Sequence, residues 1–271
     1  MSEIKTVAVV GAGATSIQIV PYVQERAEKL IAFIRTPSYV SPRPDITFSE
    51  AERGTPEFVE RLFERREEWF ERFGQISKTR FPMNDRLVAE QEAAWREVFN
   101  AQVTDPHARE VLMPRYRFGC KRPLFSSTYY PAITQDNVTL VGRGVSHLDG
   151  DSVVDTEGVR YPVDVVIWAT GFNTANMLNG IDIRGKDGHE LATDWDPVPR
   201  AYFGTLVKNY PNLFVISGPN AGAAAVTELI EGQIGFILDV LEKYTTYKSY
   251  YEVQKSVEEN PLFVTPSVVL S

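Results

Sequence analysis

Cysteine is almost absent: Cys120 is the only one in 271 residues. A lone thiol excludes an internal disulfide, a dithiol redox pair and a thiolate zinc cage. Histidine is nearly as scarce, with His107, His147 and His189 scattered along the chain, which argues against a histidine-rich metal centre. No apolar run approaches the roughly 18 residues that a bilayer span needs. The opening residues lack the basic, apolar and small pattern of a leader, so the expected location is the cytoplasm. Positive charge is also in short supply, with 28 Lys and Arg against 36 Asp and Glu and a net charge of −8. That balance excludes a general nucleic-acid binder. The 43% hydrophobic and 24% charged residues fit a globular protein of one large domain or two small ones.

What is present begins as strand, turn and helix. Val7–Val10 is a short apolar run suited to a strand buried on both faces. Gly11-Ala12-Gly13-Ala14-Thr15-Ser16 follows and leads into a helical stretch to about Lys29. A second apolar run, Leu30 to Ile34, ends at Arg35-Thr36-Pro37, completing a βαβ unit. Helices are expected from Thr55 to Phe73, with Phe58, Leu62, Trp69 and Phe73 on one face, and from about Asp85 to Gln102, with Leu87, Val88, Gln91, Trp95, Val98 and Phe99 in register. Together they read as an inserted helical cover over about 50–115. The pairs Glu57/Arg61 and Glu68/Arg72 read as solvent-face decoration. Further on, Val138–Val141 and Asp164–Ala169 read as strands. Ser152–Asp155 and Val159–Tyr161 form a hairpin through Glu157-Gly158, and a second hairpin is expected around Gly185–Gly188. Leu213–Ile216 is expected as a last core strand. An amphipathic helix follows, marked by Val226, Ile230, Ile237, Leu241 and Tyr244.

The glycine turn carries chemistry because of its context. Gly11 permits the tight turn, and Gly13 lets a diphosphate approach the backbone. The helix opened by Ala14, Thr15 and Ser16 offers free N–H groups and a positive dipole end to that anion. A lone G-x-G-x-x-S is weak, but one that follows a buried strand and opens a helix points to a dinucleotide. The end of the second strand then selects the coenzyme. An NAD site places Asp or Glu there, whereas this chain places Arg35-Thr36, a guanidinium fork and a hydroxyl suited to a 2′-phosphate. NADPH is therefore expected over NADH. Arg115, Arg117, Lys121 and Arg122 crowd together downstream, either as a solvated loop or as a local anion site. A serine hydrolase is disfavoured because no G-x-S-x-G occurs.

Five segments occur in order: GAGATSIQIVP, AFIRTPSYVSPRPD, FGCKRPLFSSTYYPA, VIWATGF and AYFGTLVKNYPNLFVISGPNAG. Together they closely resemble the Baeyer–Villiger type of flavin-dependent monooxygenase and its flavin-containing relatives. The resemblance implies an α/β fold: a Rossmann-like NADPH domain over 1–172 with its helical insertion, and a return segment of an incomplete FAD-type domain over 173–271. It implies cofactor roles for Gly11, Gly13, Ala14, Thr15, Ser16, Arg35 and Thr36, with Lys121 joining them at the 2′-phosphate. Arg122 matches the family arginine beside flavin and nicotinamide, where a fixed positive charge stabilises developing negative oxygen. Thr170, Gly171, Pro219 and Asn220 match segments that connect to or touch the flavin domain, while Asp136 and Asn137 are expected only to make a turn. The implied cofactors are NADPH and FAD. The implied reaction inserts one atom of O2 into a ketone or a soft nitrogen or sulfur nucleophile of a small organic substrate, with no nucleic acid and no membrane. The family's first glycine motif has no counterpart here, so a truncated or split chain is expected. It would associate as a homodimer or with a flavin-binding partner chain through an exposed apolar face. The alternative is a stand-alone NADPH-binding module, or a remnant without turnover.

Overall fold

A computed structural model describes residues 5–43, 47–78, 84–172, 180–219, 221 and 226–247. The chain divides into two compact units, one of residues 1–64 and 75–172, the other of residues 65–74 and 173–271.

The first unit is built on four parallel strands. They are β1 (Thr6–Val10), β2 (Lys29–Phe33), β5 (Val138–Val141) and β9 (Val165–Trp168), in the order β5-β2-β1-β9. Parallel strands must be covered on both faces, which explains their near-continuous apolar character. Alternate residues then divide between two cores. Val9, Leu30, Ala32 and Ile34 pack with α1 (Ala14–Arg26), α3 (Asp85–Gln102), α4 (Pro106–Leu112) and α5 (Tyr129–Ile133). Ala8, Val10, Ile31 and Phe33 pack on the opposite side with Val153 and Tyr161. These belong to an antiparallel meander of β6 (Val145–Asp149), β7 (Ser152–Asp155) and β8 (Arg160–Pro162). The Phe33 and Tyr161 rings meet edge to face at 5.2 Å. The expected hairpin therefore has a third strand, β6, which the sequence reading left out.

Two short strands complete this unit. β3 (Val40–Ser41) pairs in parallel with β4 (Leu124–Phe125), Val40 opposite Leu124. The helix α3 starts on Asn84, whose side chain accepts from Leu87 N–H at 3.2 Å, and it buries Val88, Trp95 and Phe99 as its spacing requires. By contrast α2 (Pro56–Lys78) leaves Leu62 exposed, along with Val59, Phe63 and Phe70. Arg61 meets Glu52 and not the expected Glu57, and Arg65 meets Glu68, all in solvent; the Arg72 side chain of the other expected pair lies outside the described residues. Asn137 does more than turn the chain. It donates to the carbonyls of Gln24 and Ala27 and accepts from Gln24 Nε2, closing the end of α1.

In the second unit, Leu191, Trp195, Ala201, Val207 and Tyr210 form a small core. The expected core strand at Leu213–Ile216 is corrected here. Only Leu213 and Phe214 fall in β11 (Tyr210–Phe214), which pairs antiparallel with β10 (Leu206–Val207) as a two-stranded ribbon, while Val215 and Ile216 lie beyond it and Ile216 is exposed. A 3-10 turn, Lys186–Gly188, lies between the bridged residues Arg184 and Glu190. The helix α7 (Val226–Tyr247) follows. From it, the buried amide of Gln233 donates to the carbonyls of Phe203 and Gly204 and to Thr205 Oγ1, and accepts from Ser217 N–H at 2.9 Å.

Candidate functional site

The strand order creates a crevice. β1 continues to β2 on one side and meets β9, the last strand, on the other. In an open α/β sheet, ligands bind beyond the carboxyl ends of the strands where the order reverses. Gly11 sits at that point. Its φ is +124°, and a Cβ there would overlap the Ala169 carbonyl at the end of β9, so both backbone conformation and space demand glycine. Thr170 and Gly171 follow directly and are exposed.

Gly13 precedes α1 and supplies no side-chain cap, and the first turn carries no acidic residue. The first intrahelical bond is Ile17 N–H to Gly13 O at 3.1 Å. The N–H groups of Ala14, Thr15 and Ser16 therefore lie ahead of the helical ladder. A Cβ on Gly13 would meet nothing within 4 Å, so the chain leaves open space beside these donors. Ser16, the third position of the motif, is buried against the core, while Ala14 and Thr15 face solvent.

Arg35 and Thr36 emerge exposed from the end of β2. Next to them, Ser38 Oγ donates to Ala12 O at 2.8 Å, fastening this segment to the glycine turn. The β3–β4 register brings the residues just before Leu124 alongside those just before Val40, and Leu124 N–H donates to Tyr39 O at 2.9 Å. That register places Lys121 and Arg122 on the same side as the Pro37–Tyr39 segment. Tyr39 secures the arrangement through ring contacts with Trp95, Tyr116 and Phe118 and by donating to Tyr116 O at 2.8 Å. Burial, then Glu92, pushes its phenol up to about 12. Glu92 also accepts from Phe118 N–H at 2.8 Å. Lys121 Nζ lies 5.1 Å from the centroid of the Tyr116 ring, whose phenol burial raises while the neighbouring Ser38 hydroxyl works against it.

The arginines divide into two groups, one paired with carboxylates and one, which includes Arg96, Arg115 and Arg200 as well as two residues here, without an ion pair among the described residues. Arg53, Arg61, Arg65, Arg86, Arg117, Arg143, Arg160 and Arg184 all pair with carboxylates. Among the described residues, Arg35 and Arg122 make no ion pair or hydrogen bond, and Lys121 has only the Tyr116 ring. Within the basic cluster Arg117 is tied to Asp85 at 2.6 Å, while Arg115, Lys121 and Arg122 make no ion pair among the described residues.

Pro219 is buried in the second unit, after Ser217, whose φ is +52° and whose N–H is held by Gln233. Asn220 lies outside the described residues. Sequence reasoning missed Ser38, Tyr39, Glu92, Tyr116 and Gln233. None has a motif of its own, because each acts by holding a neighbour in place. No group of His, Cys, Asp or Glu among the described residues could hold a metal ion, and no helix among them is long and apolar enough to cross a membrane.

No protein-family model matches the chain. A Baeyer–Villiger monooxygenase of Pseudomonas aeruginosa is 35% identical over 257 residues, covering 88% of this chain and 46% of that protein. Another, of Streptomyces coelicolor, is 33% identical over 239 residues, with the same coverage. The chain spans about half the length of these curated relatives. Among solved structures, the crystal structure of OTEMO in complex with FAD and NADP superposes with a TM-score of 0.76 at 25% identity, covering 94% of this chain and 54% of that one.

Proposed function

We propose, for a chain that belongs to the Baeyer–Villiger monooxygenase family and spans about half the length of its curated relatives, that its first unit binds NADPH and serves a flavin-dependent oxygenation. The unpaired guanidinium of Arg35 beside an open glycine turn carries this reading. A solvated guanidinium costs the fold little, and it is its place at the end of the second strand that would give a 2′-phosphate a charge-assisted fork. Residues 1–172 are the NADPH domain, with 50–115 as its helical insertion, and 173–271 are the return segment of a FAD-type domain.

The residues present fit NADPH. Gly11 and Gly13 clear the approach, and the N–H groups of Ala14, Thr15 and Ser16 take the diphosphate at the positive end of α1. Arg35, Thr36 and Lys121 take the 2′-phosphate. Arg122, fixed by the β3–β4 register, holds a permanent positive charge next to the reacting end of the coenzyme. Bound NADPH supplies a hydride. The fit to FAD is partial. In the first unit Thr170 and Gly171 are exposed, and in the second the turn at Ser217–Pro219 is pinned by Gln233, each matching a family segment at the flavin. The strands of the second unit are a two-stranded antiparallel ribbon among the described residues, with no parallel sheet to cradle an adenosine end. The reading extends to insertion of one oxygen atom from O2 into a ketone or a soft nitrogen or sulfur nucleophile. On α7, Ile234, Leu238, Leu241 and Tyr244 are exposed, which supports association with a second copy or with a flavin-binding chain.

The test is a titration of the full chain with NADPH and NADH, then oxygen uptake with and without added FAD. NADPH should bind the more tightly and uptake should need both cofactors. Equal affinity for the two coenzymes would refute the reading.

A further inference from the structure

The head of Arg35 is free, but its stem is packed, and what it packs on has no role so far. A side-chain carbon added at Gly144 would stand 3.5 Å from Arg35 Cδ, 3.9 Å from Arg35 Cγ and 3.6 Å from Thr156 Cγ2. The methylenes of Arg35 therefore border the bare backbone at Gly144, and the Thr156 methyl borders it too. Gly144 is not one of the glycines with positive φ, so its turn does not require glycine. The missing side chain leaves room for the stem of Arg35 instead.

That backbone is held firmly. Thr156 N–H donates to Gly144 O at 3.1 Å. One residue away on each strand, Arg143 Nε donates to Asp155 Oδ2 at 2.7 Å. Asp155 is buried, and it also accepts from Tyr161 OH at 3.2 Å and from the N–H groups of Glu157 and Val159 at 2.9 Å each. Arg143 Nη2 donates in turn to Tyr161 OH at 3.1 Å. With every acceptor site of the carboxylate used, this lock leaves Gly144 little freedom.

We propose that Gly144, fixed by the Arg143–Asp155 lock, is a positioning residue for coenzyme specificity: it sets where the Arg35 guanidinium stands, and so how well the site separates a 2′-phosphate from a 2′-hydroxyl. The proposal rests on the NADPH reading above and adds to it a specificity determinant on a different strand connection. A bare Cβ at 144 would only touch the stem of Arg35 at ordinary contact distance, so it is a longer side chain, reaching past Cβ, that competes with the stem for the same space.

The experiment measures NADPH and NADH affinities by fluorescence titration for the full chain and for Gly144→Leu, Asp155→Asn and Arg35→Ala, with thermal melts alongside. Gly144→Leu should lower NADPH affinity about tenfold and leave NADH affinity within about twofold, as expected when a charge-assisted bond is misplaced rather than deleted. Asp155→Asn, which keeps the shape of the lock and removes its charge, should lower the NADPH to NADH ratio by about threefold; it carries the test if Gly144→Leu does not fold. A ratio unchanged in both variants, with Arg35→Ala losing it, overturns this proposal and leaves the NADPH reading standing. A ratio unchanged in Arg35→Ala overturns both.

Discussion

Arg143 and Arg35 flank the same residue, Gly144, yet their surroundings are opposite. Arg143 is paired with Asp155 and Glu157 and bonded to Tyr161, while Arg35 has no ion pair or hydrogen bond among the described residues. One arginine is used up in building the meander under the sheet. The other is carried by the core to the crevice and left there. The contrast is one of partners and not of exposure: surface arginines such as Arg86 find carboxylates, while Arg96, Arg115 and Arg200, also exposed, do not among the described residues, so it is the place of Arg35 at the end of β2 that gives its free head a meaning. It also gives the helix end a context. Free N–H groups at the start of α1 would be ordinary alone, but here they share one rim with Arg35, Thr36 and the Lys121–Arg122 loop.

The comparison can be broken in four places. The largest effect is expected from Gly11→Ala, which needs a strained φ and pushes a methyl into the Ala169 carbonyl. Thermal unfolding should fall by about 10 °C or more, and calorimetry with a coenzyme titration should show NADPH binding lost as well. Asp155→Ala strikes the scaffold first. It leaves Arg143 with only Glu157 and Tyr161 and the N–H groups of Glu157 and Val159 without their acceptor, and calorimetry should record a fall of about 6 °C, with a lowered NADPH to NADH ratio alongside. Arg35→Ala strikes the site alone, and isothermal titration should show NADPH weakened by about 10- to 100-fold, the worth of a charge-assisted bond, with the melting temperature unmoved. Arg86→Ala, at an exposed pair with Glu90, should change neither.

Acid sharpens the same contrast. Burial alone would raise the Asp155 carboxyl, but the N–H groups of Val159 and Glu157 and the Arg143 guanidinium outweigh it and hold the group below its ordinary value. A depressed carboxyl adds stability that is complete above its unfolded value, about 3.9, and is lost as pH falls through the lower folded value. The melting temperature of the chain should therefore drop as pH falls below about 4, and Asp155→Asn should flatten that part of the profile. An identical slope in the variant would remove Asp155 from the scaffold's electrostatics.

Much of the first unit was legible because its signals are local. Doubly buried strands read as apolar runs, Gly11 and Gly13 declare the turn, and Arg35 follows the end of the second strand as expected. The strand order β5-β2-β1-β9 was not legible, because register between distant segments is settled by packing and not by spacing. For the same reason β6 escaped notice: of its five residues, Ser146, His147, Leu148 and Asp149 are exposed, so no apolar alternation marks it. Leu213–Ile216 misled in the other direction. Its first two residues end a two-stranded ribbon, Leu213 and Val215 are only partly buried against a small core, and Ile216 is exposed. The holders of the site were invisible for a chemical reason. Ser38 acts through a carbonyl 26 positions away, and Gly144 acts by having no side chain at all.

The central claim is best tested by the crystal structure of this chain with NADP+ bound. The account predicts the diphosphate over the N–H groups that open α1, and the 2′-phosphate within hydrogen-bond reach of the Arg35 guanidinium, about 3 Å. A coenzyme bound elsewhere, or bound here with Arg35 turned to solvent, would contradict it.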